Sequence, residues 1–227
     1  MAWIMGWTLA ALLAGAAPAG ELQLARDRQD RAALLRLGGE LAAAADKSPK
    51  NAAAQYQAAR AQSYLAEVAL ELRDRGQAKE AAETGIRLAQ QAAALAPNNA
   101  EYHRLLGTLC GQVIPANVMA GMKWGRCAQE EVNKAIELDP RSAVAVLGRG
   151  IGNYYLPPLL GGSVEKAIGD FERAIQLNPK YADAYLWLGI ALRKANRPAE
   201  ARKAIQRSVE LNPNRVWAKQ QLDKTPQ

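Results

Sequence analysis

The chain has 227 residues, enough for one extended domain or two small ones. Hydrophobic residues make up 49% but aromatic ones only 6%, and Ala supplies much of the apolar count, which suits closely packed helices more than a sheet core. The formal charge of +7 is spread along the chain and no nucleic-acid motif accompanies it, so a nucleic-acid binder is not expected.

Residues 1–19 carry no charged side chain. Trp3 to Leu13 is apolar, and Ala17-Pro18-Ala19 has the small residues of a signal-peptidase site. The reading is a signal peptide over 1–19, cut after Ala19, and a periplasmic or secreted protein. The segment before the apolar run lacks Lys and Arg, so an uncleaved N-terminal anchor is the alternative. Membrane association is expected only in that case. No Cys follows the run, which excludes a lipoprotein signal.

Glu21 to Asp46 reads as one long helix within an N-terminal capping region, 20–50, ended by Lys47-Ser48-Pro49. Asn51 caps a second helix that runs to Asp74, with Arg75-Gly76-Gln77 as its turn. Ala78 to Ala96 follows and stops at Pro97-Asn98-Asn99. A further helix begins at Ala100, and Pro115 blocks its continuation. The stretch Gly111 to Gly125 is an insertion in which Asn117 is placed to cap the next helix, which ends at Asp139-Pro140. Ala143 to Lys180 holds another helix pair, interrupted by Leu156-Pro157-Pro158-Leu159-Leu160-Gly161-Gly162 and resumed at Ser163 as cap.

The clearest stretch is Ala182 to Arg215. Tyr185, Leu188, Gly189 and Leu192 share one helix face; Ala201, Ile205 and Ser208 share another. Asn196-Arg197-Pro198 is the turn between them, and Asn212-Pro213 ends the pair. Val216 to Lys224 is a short terminal helix that covers the last exposed face. This order of large, Leu, Gly, large, then Ala, large, small and Pro resembles the 34-residue tetratricopeptide repeat family. The register extends back through Leu106, Gly107 and Cys110 with Ala128, Val132 and Ala135, and through Gly85, Ala89 and Ala92, to Leu37, Leu41 and Ala44. Arg149 departs from it, standing where Leu is expected. The inserted loops also look like those of a group of exported bacterial repeat proteins.

The resemblance implies an all-α, right-handed superhelix (an α-solenoid) of antiparallel helix hairpins. About four full units, 52–99, 100–142, 143–181 and 182–215, make up 51–215, with capping helices before them and at 216–227. It implies a non-enzymatic scaffold that binds a peptide or protein segment in a concave groove lined by the first helix of each hairpin. The groove positions are Tyr56, Arg60, Tyr64, Arg104, Thr108, Gln112, Leu147, Ile151, Tyr154, Tyr155, Leu186, Ile190 and Arg193. Tyr and Arg are common binding anchors. The alternative is that Leu147, Ile151 and Leu186 pack on neighbouring helices or on a folded-over terminus. Some family members clamp a peptide carboxylate with Lys and Asn at two of these positions. Tyr56 with Arg60, Arg104 with Thr108, Leu147 with Ile151 and Leu186 with Ile190 stand there instead, so that activity is not inherited.

His103 is the single histidine and falls at a packing position. No cofactor or metal is expected, because no second His, zinc-spaced Cys pair or phosphate loop accompanies it. No nucleophile and base can be assembled from the sequence, so an enzyme is not expected. Cys110 and Cys127 flank the first insertion and would meet where two antiparallel helices join. They are a candidate disulfide, with two separate buried thiols as the alternative. Two function classes remain: the groove-binding scaffold, and a structural or assembly subunit that oligomerises through Met119, Met122, Trp124 and the Leu156 to Leu160 run. A soluble accessory component of a transporter is a lesser variant.

Overall fold

The computed structural model describes residues 17–116 and 118–226. Most of the expected signal segment, and the expected cap Asn117, lie outside the described residues. All regular structure among those described is helical: α1 (Ala17–Asp27), α2 (Arg31–Lys47), α3 (Ala52–Glu71), α4 (Arg75–Leu95), α5 (Ala100–Val113), α6 (Val118–Leu138), α7 (Ala143–Tyr155), α8 (Val164–Leu177), α9 (Ala182–Lys194), α10 (Pro198–Leu211) and α11 (Val216–Asp223). The 3-10 turns Ile114–Ala116 and Pro158–Leu160 sit in the two longest hairpin connections. The helices pair in sequence as antiparallel hairpins and stack as a right-handed superhelix with α11 at the end.

Two kinds of short turn build this architecture. Between hairpins the chain uses Ser48-Pro49, Ala96-Pro97, Asp139-Pro140, Asn178-Pro179 and Asn212-Pro213, and each time the N–H three residues after the first donates back to its carbonyl. These are β-turns with Pro at the second position, where its fixed φ is already correct. In the first three, the fourth residue also caps the next helix: Asn51, Asn99 and Ser142 accept from N–H groups of α3, α5 and α7. In the last two it is Tyr181 and Arg215, which make no side-chain cap.

Within hairpins, three turns share another design. Gln29, Arg73 and Asn196 take left-handed φ values of 56°, 64° and 60°. The next N–H donates across the helix end: Asp30 to Ala25 O at 2.8 Å, Asp74 to Ala69 O at 2.8 Å and Arg197 to Leu192 O at 2.9 Å. This satisfies carbonyls that a helix terminus otherwise leaves bare. Asp30 and Asp74 then cap α2 and α4.

Two expectations change as a result. The continuous helix Glu21 to Asp46 is a hairpin, because the chain reverses at 28–30 and Asp30 starts a second helix. The turn expected at Arg75-Gly76-Gln77 lies at 72–74, and Gly76 is inside the first turn of α4. The buried stripe of α2 also differs from the expected register. Leu34, Leu37, Gly38 and Ala45 are buried, with Leu41 half-buried, while Ala44 is exposed. α2 packs on α1 and α3, and its remaining side needs no apolar surface.

The core consists of apolar clusters that run from α1 through α5 and from α7 through α11. Close approach within hairpins depends on glycine. A Cβ at Gly189 would lie 2.7 Å from Ala201 O, and one at Gly107 would lie 2.9 Å from Val132 N. Arg149, the outlier in the register, has its own partner: its guanidinium meets Asp170 at 2.6 Å, and Asn153 donates to the same carboxylate.

Candidate partner-binding face

The inner face is made by α1, α3, α5, α7 and α9, the first helices of the hairpins. Its N-terminal half is a polar mesh. Tyr56 Oη donates to Glu101 Oε1 at 2.8 Å, and Arg104 grips the same carboxylate with Nε and Nη2, both at 2.6 Å. Arg104 Nη1 also donates to Thr108 Oγ1 at 3.3 Å. Gln112 and Ser63 pair across α5 and α3 at 3.1 Å. Arg60 lies over the Tyr64 ring, and Tyr64 Oη donates to Gln23 of α1 at 2.6 Å. Burial, with Glu101 beside it, pushes the Tyr56 phenol well above its ordinary value. Burial works against the Glu101 charge, but Arg104 and the Tyr56 hydroxyl hold that carboxyl below its ordinary value.

The two ends of the superhelix meet on this face. Arg26 of α1 reaches Glu67 of α3 at 2.6 Å and Asp183 of α9 at 2.7 Å. Arg215, with its side chain fully buried, donates to Glu67 at 2.9 Å and to both oxygens of Glu71. Asn212 donates to Asp27 at 2.9 Å, and Gln220 to Gln29 at 3.2 Å. Two guanidiniums and four carboxylates thus clasp the first two hairpins to the last. Arg215 Nε and Asp183 Oδ1 face each other at 3.7 Å, too far for a direct hydrogen bond. Burial opposes the Asp183 charge, yet Arg26 and Arg215 together hold its carboxyl below the ordinary value. Burial dominates at Glu71 and raises its carboxyl despite Arg215.

The C-terminal half of the face is apolar and aromatic. Leu147, Leu186 and Ile190 are buried, the last two in a cluster with Ala218 of α11. For Leu147 and Leu186 the packing alternative describes their position. Arg193 is held by α11 and the tail, donating to Gln221 Oε1 at 2.7 Å and Thr225 Oγ1 at 2.9 Å. Ile151 and Tyr154 are half-buried, and Tyr155 is 63% exposed. Tyr154, Tyr155 and Trp187 form a triangle with ring centroids 5.0–6.0 Å apart, and Trp217 extends it at 5.4 Å from Trp187. Lys194 Nζ lies 4.2 Å above the Tyr154 ring.

The structure therefore separates the thirteen groove positions. Tyr56, Arg60, Tyr64, Arg104, Thr108 and Gln112 join the polar mesh; Leu147, Leu186, Ile190 and Arg193 serve packing and the α11 contact; Ile151 and Tyr154 pack half-buried on the core, and Tyr155 is exposed. Trp187, Trp217, Tyr181 and Arg215 were not among them. An aromatic at the fourth place of a Pro turn, where a small polar cap belongs, was the signal for Tyr181; for Arg215 it was a cation in that place.

His103 ties α5 to its neighbours, with Nδ1 2.6 Å from Glu131 Oε2 and Nε2 2.8 Å from Pro97 O. Among the described residues no group of three or more His, Cys, Asp or Glu is placed to hold a metal. None of the described helices is long and apolar enough to cross a membrane. Cys110 and Cys127 form a disulfide that joins α5 to α6, with Cα atoms 6.0 Å apart.

A family model described as regulator of microtubule dynamics protein 1-3 matches residues 21–156, and a tetratricopeptide repeat model matches residues 159–222. The chain is 36% identical over 95 residues to the small glutamine-rich tetratricopeptide repeat-containing protein 2 of Mycosarcoma maydis, covering 42% of this chain and 26% of that one. It thus spans about a quarter of that relative's length. An uncharacterized protein of Methanocaldococcus jannaschii is 39% identical over 62 residues, 27% of this chain and 72% of its own. Among solved structures, a thermophilic TPR protein of Thermus thermophilus superimposes with a TM-score of 0.65 at 18% identity, covering 91% of this chain and 97% of the other. PilW, a type IV pilus biogenesis factor, gives 0.50 at 19% identity, over 87% and 79%. Both likenesses concern the fold.

Proposed function

The chain belongs to the regulator of microtubule dynamics protein 1-3 family and carries tetratricopeptide repeats, and on that premise we propose that it is an exported, non-enzymatic scaffold for protein–protein interaction. Its partner is a peptide or protein segment held by the aromatic half of the inner face. The observation that carries this reading is the division of that face. The N-terminal half has its polar groups engaged internally, whereas Tyr155 stands exposed beside Tyr154, Trp187 and Lys194. Rigid aromatic side chains beside a cation suit an anchor residue of a partner. The family description speaks of microtubule regulation, but no residue of this face assigns a tubulin contact.

Export is supported by the apolar run at Trp3 to Leu13, the Ala17-Pro18-Ala19 site and the Cys110–Cys127 bond, which an oxidising compartment preserves. The mature N-terminus is then Gly20. The test is capture from envelope extract with the native chain and with Tyr154→Ala/Tyr155→Ala. Partners held by the native chain are lost from the double variant; equal recovery by both contradicts the reading.

A further inference from the structure

Every described large apolar side chain more than 60% exposed lies in or beside two insertions: Met119 at 70%, Met122 at 76%, Tyr155 at 63%, Leu159 at 87% and Leu160 at 68%. The two insertions share one edge of the superhelix. Val132 of α6 packs at the level of Gly107 of α5 and lies 3.8 Å from the position of a Cβ on Gly148 of α7. From that level α6 runs back about 15 Å to Met122 and α7 runs forward about 10 Å to Tyr155, in the same direction because the helices alternate. The α5–α6 and α7–α8 turns therefore project side by side.

The charge on this edge is mainly basic. No acidic residue occurs between Glu101 and Glu130, or between Asp139 and Glu165, while Lys123 and Arg126 fall within the first interval. Lys123 Nζ lies 4.6 Å over the half-buried Trp124 ring, and Lys166 Nζ donates to Gly161 O at 3.2 Å beside Leu160. Of the nearest acids, Glu130 pairs with Arg126 at 3.0 Å, while Glu165 accepts from the Ser163 hydroxyl at 2.9 Å and keeps its charge next to Lys166. Leu159 and Leu160 stand on a projecting turn, and Met119 and Met122 on the first turns of α6 beside it. Apolar tips, an interfacial Trp and flanking Lys match the boundary of a bilayer with anionic headgroups.

We propose that this edge is a peripheral docking site for an anionic lipid surface, with Leu159, Leu160, Met119 and Met122 entering the interface and Lys123 and Lys166 meeting the headgroups. None of these six side chains belongs to the aromatic face, which meets this edge at Tyr155, and the site does not depend on binding there.

The test uses the full chain with phosphatidylcholine vesicles, with and without phosphatidylglycerol, and reads both flotation and depth. For depth, Leu160→Trp and Leu95→Trp are compared in anionic vesicles with brominated acyl chains; Leu95 is 44% exposed at the end of α4, beside a turn between hairpins and so at the opposite edge. The expected results are flotation that rises with phosphatidylglycerol and falls with salt, and stronger quenching in Leu160→Trp. Leu159→Asp/Leu160→Asp lowers binding about tenfold or more, with unchanged circular dichroism. Equal quenching of the two Trp variants overturns the proposal, because the N-terminal segment would then account for any flotation. Retention on immobilised polyglutamate without lipid-dependent quenching also overturns it and assigns the edge to an acidic polypeptide.

Discussion

At the scale of single residues, one place in the Pro turn does two tasks. Asn51, Asn99 and Ser142 use it to cap a helix, while Tyr181 and Arg215 turn inward and give up the cap. A lost cap costs about 1 kcal/mol. What Arg215 gains is the ionic clasp, where it is fully buried against Glu67 and Glu71. Asp183 shares that clasp, and its depressed pKa fixes the sign of its effect. Its stabilisation is present above the ordinary Asp value and is lost as pH falls through the lower folded value. Asp183→Asn should therefore destabilise by about 3 kcal/mol at neutral pH, and the difference from the native chain should shrink toward zero on acidification below 3.8, as read by urea unfolding. Arg73 provides an opposite case. It is exposed and holds a left-handed φ of 64°, so Arg73→Gly should stabilise by about 0.5–1 kcal/mol in the same assay.

At the scale of elements, the helices from Ala100 onward were legible because their stops are local: Pro97, Pro140 and Pro179 each end one pair and begin another, and Pro213 ends the last pair before α11. The break between α1 and α2 was not, since a left-handed Gln29 carries no composition signal and the Asp30 cap looks like any helix-surface acid. Gly76 misled in the other direction, because a helix interior tolerates glycine at modest cost. The inward direction of the first helices followed from the repeat register. Which inward groups remain exposed did not, because that depends on partners such as Glu101 with Tyr56 and Gln221 with Arg193. The α5–α6 connection shows what its covalent link does. The disulfide closes a loop between residues 17 positions apart, and on the chain-entropy model Cys110→Ala/Cys127→Ala should lower stability by about 3 kcal/mol. Non-reducing peptide mapping with thiols blocked at lysis should recover the linked pair from cells.

At the scale of the whole molecule, the superhelix is closed by contacts that no local pattern announces: Arg26 with Asp183 and Asn212 with Asp27 join residues 157 and 185 positions apart. Closure fills the N-terminal part of the inner face with the chain's own groups and leaves the aromatic part, around Tyr155 and Trp187, for a partner. The account stands on that division. Its most direct test is a photo-crosslinking amino acid placed in intact cells at position 155 and, separately, at position 56. A discrete protein adduct is expected from position 155 and none from position 56; the reverse, an adduct from position 56 with none from position 155, would overturn the division of the inner face.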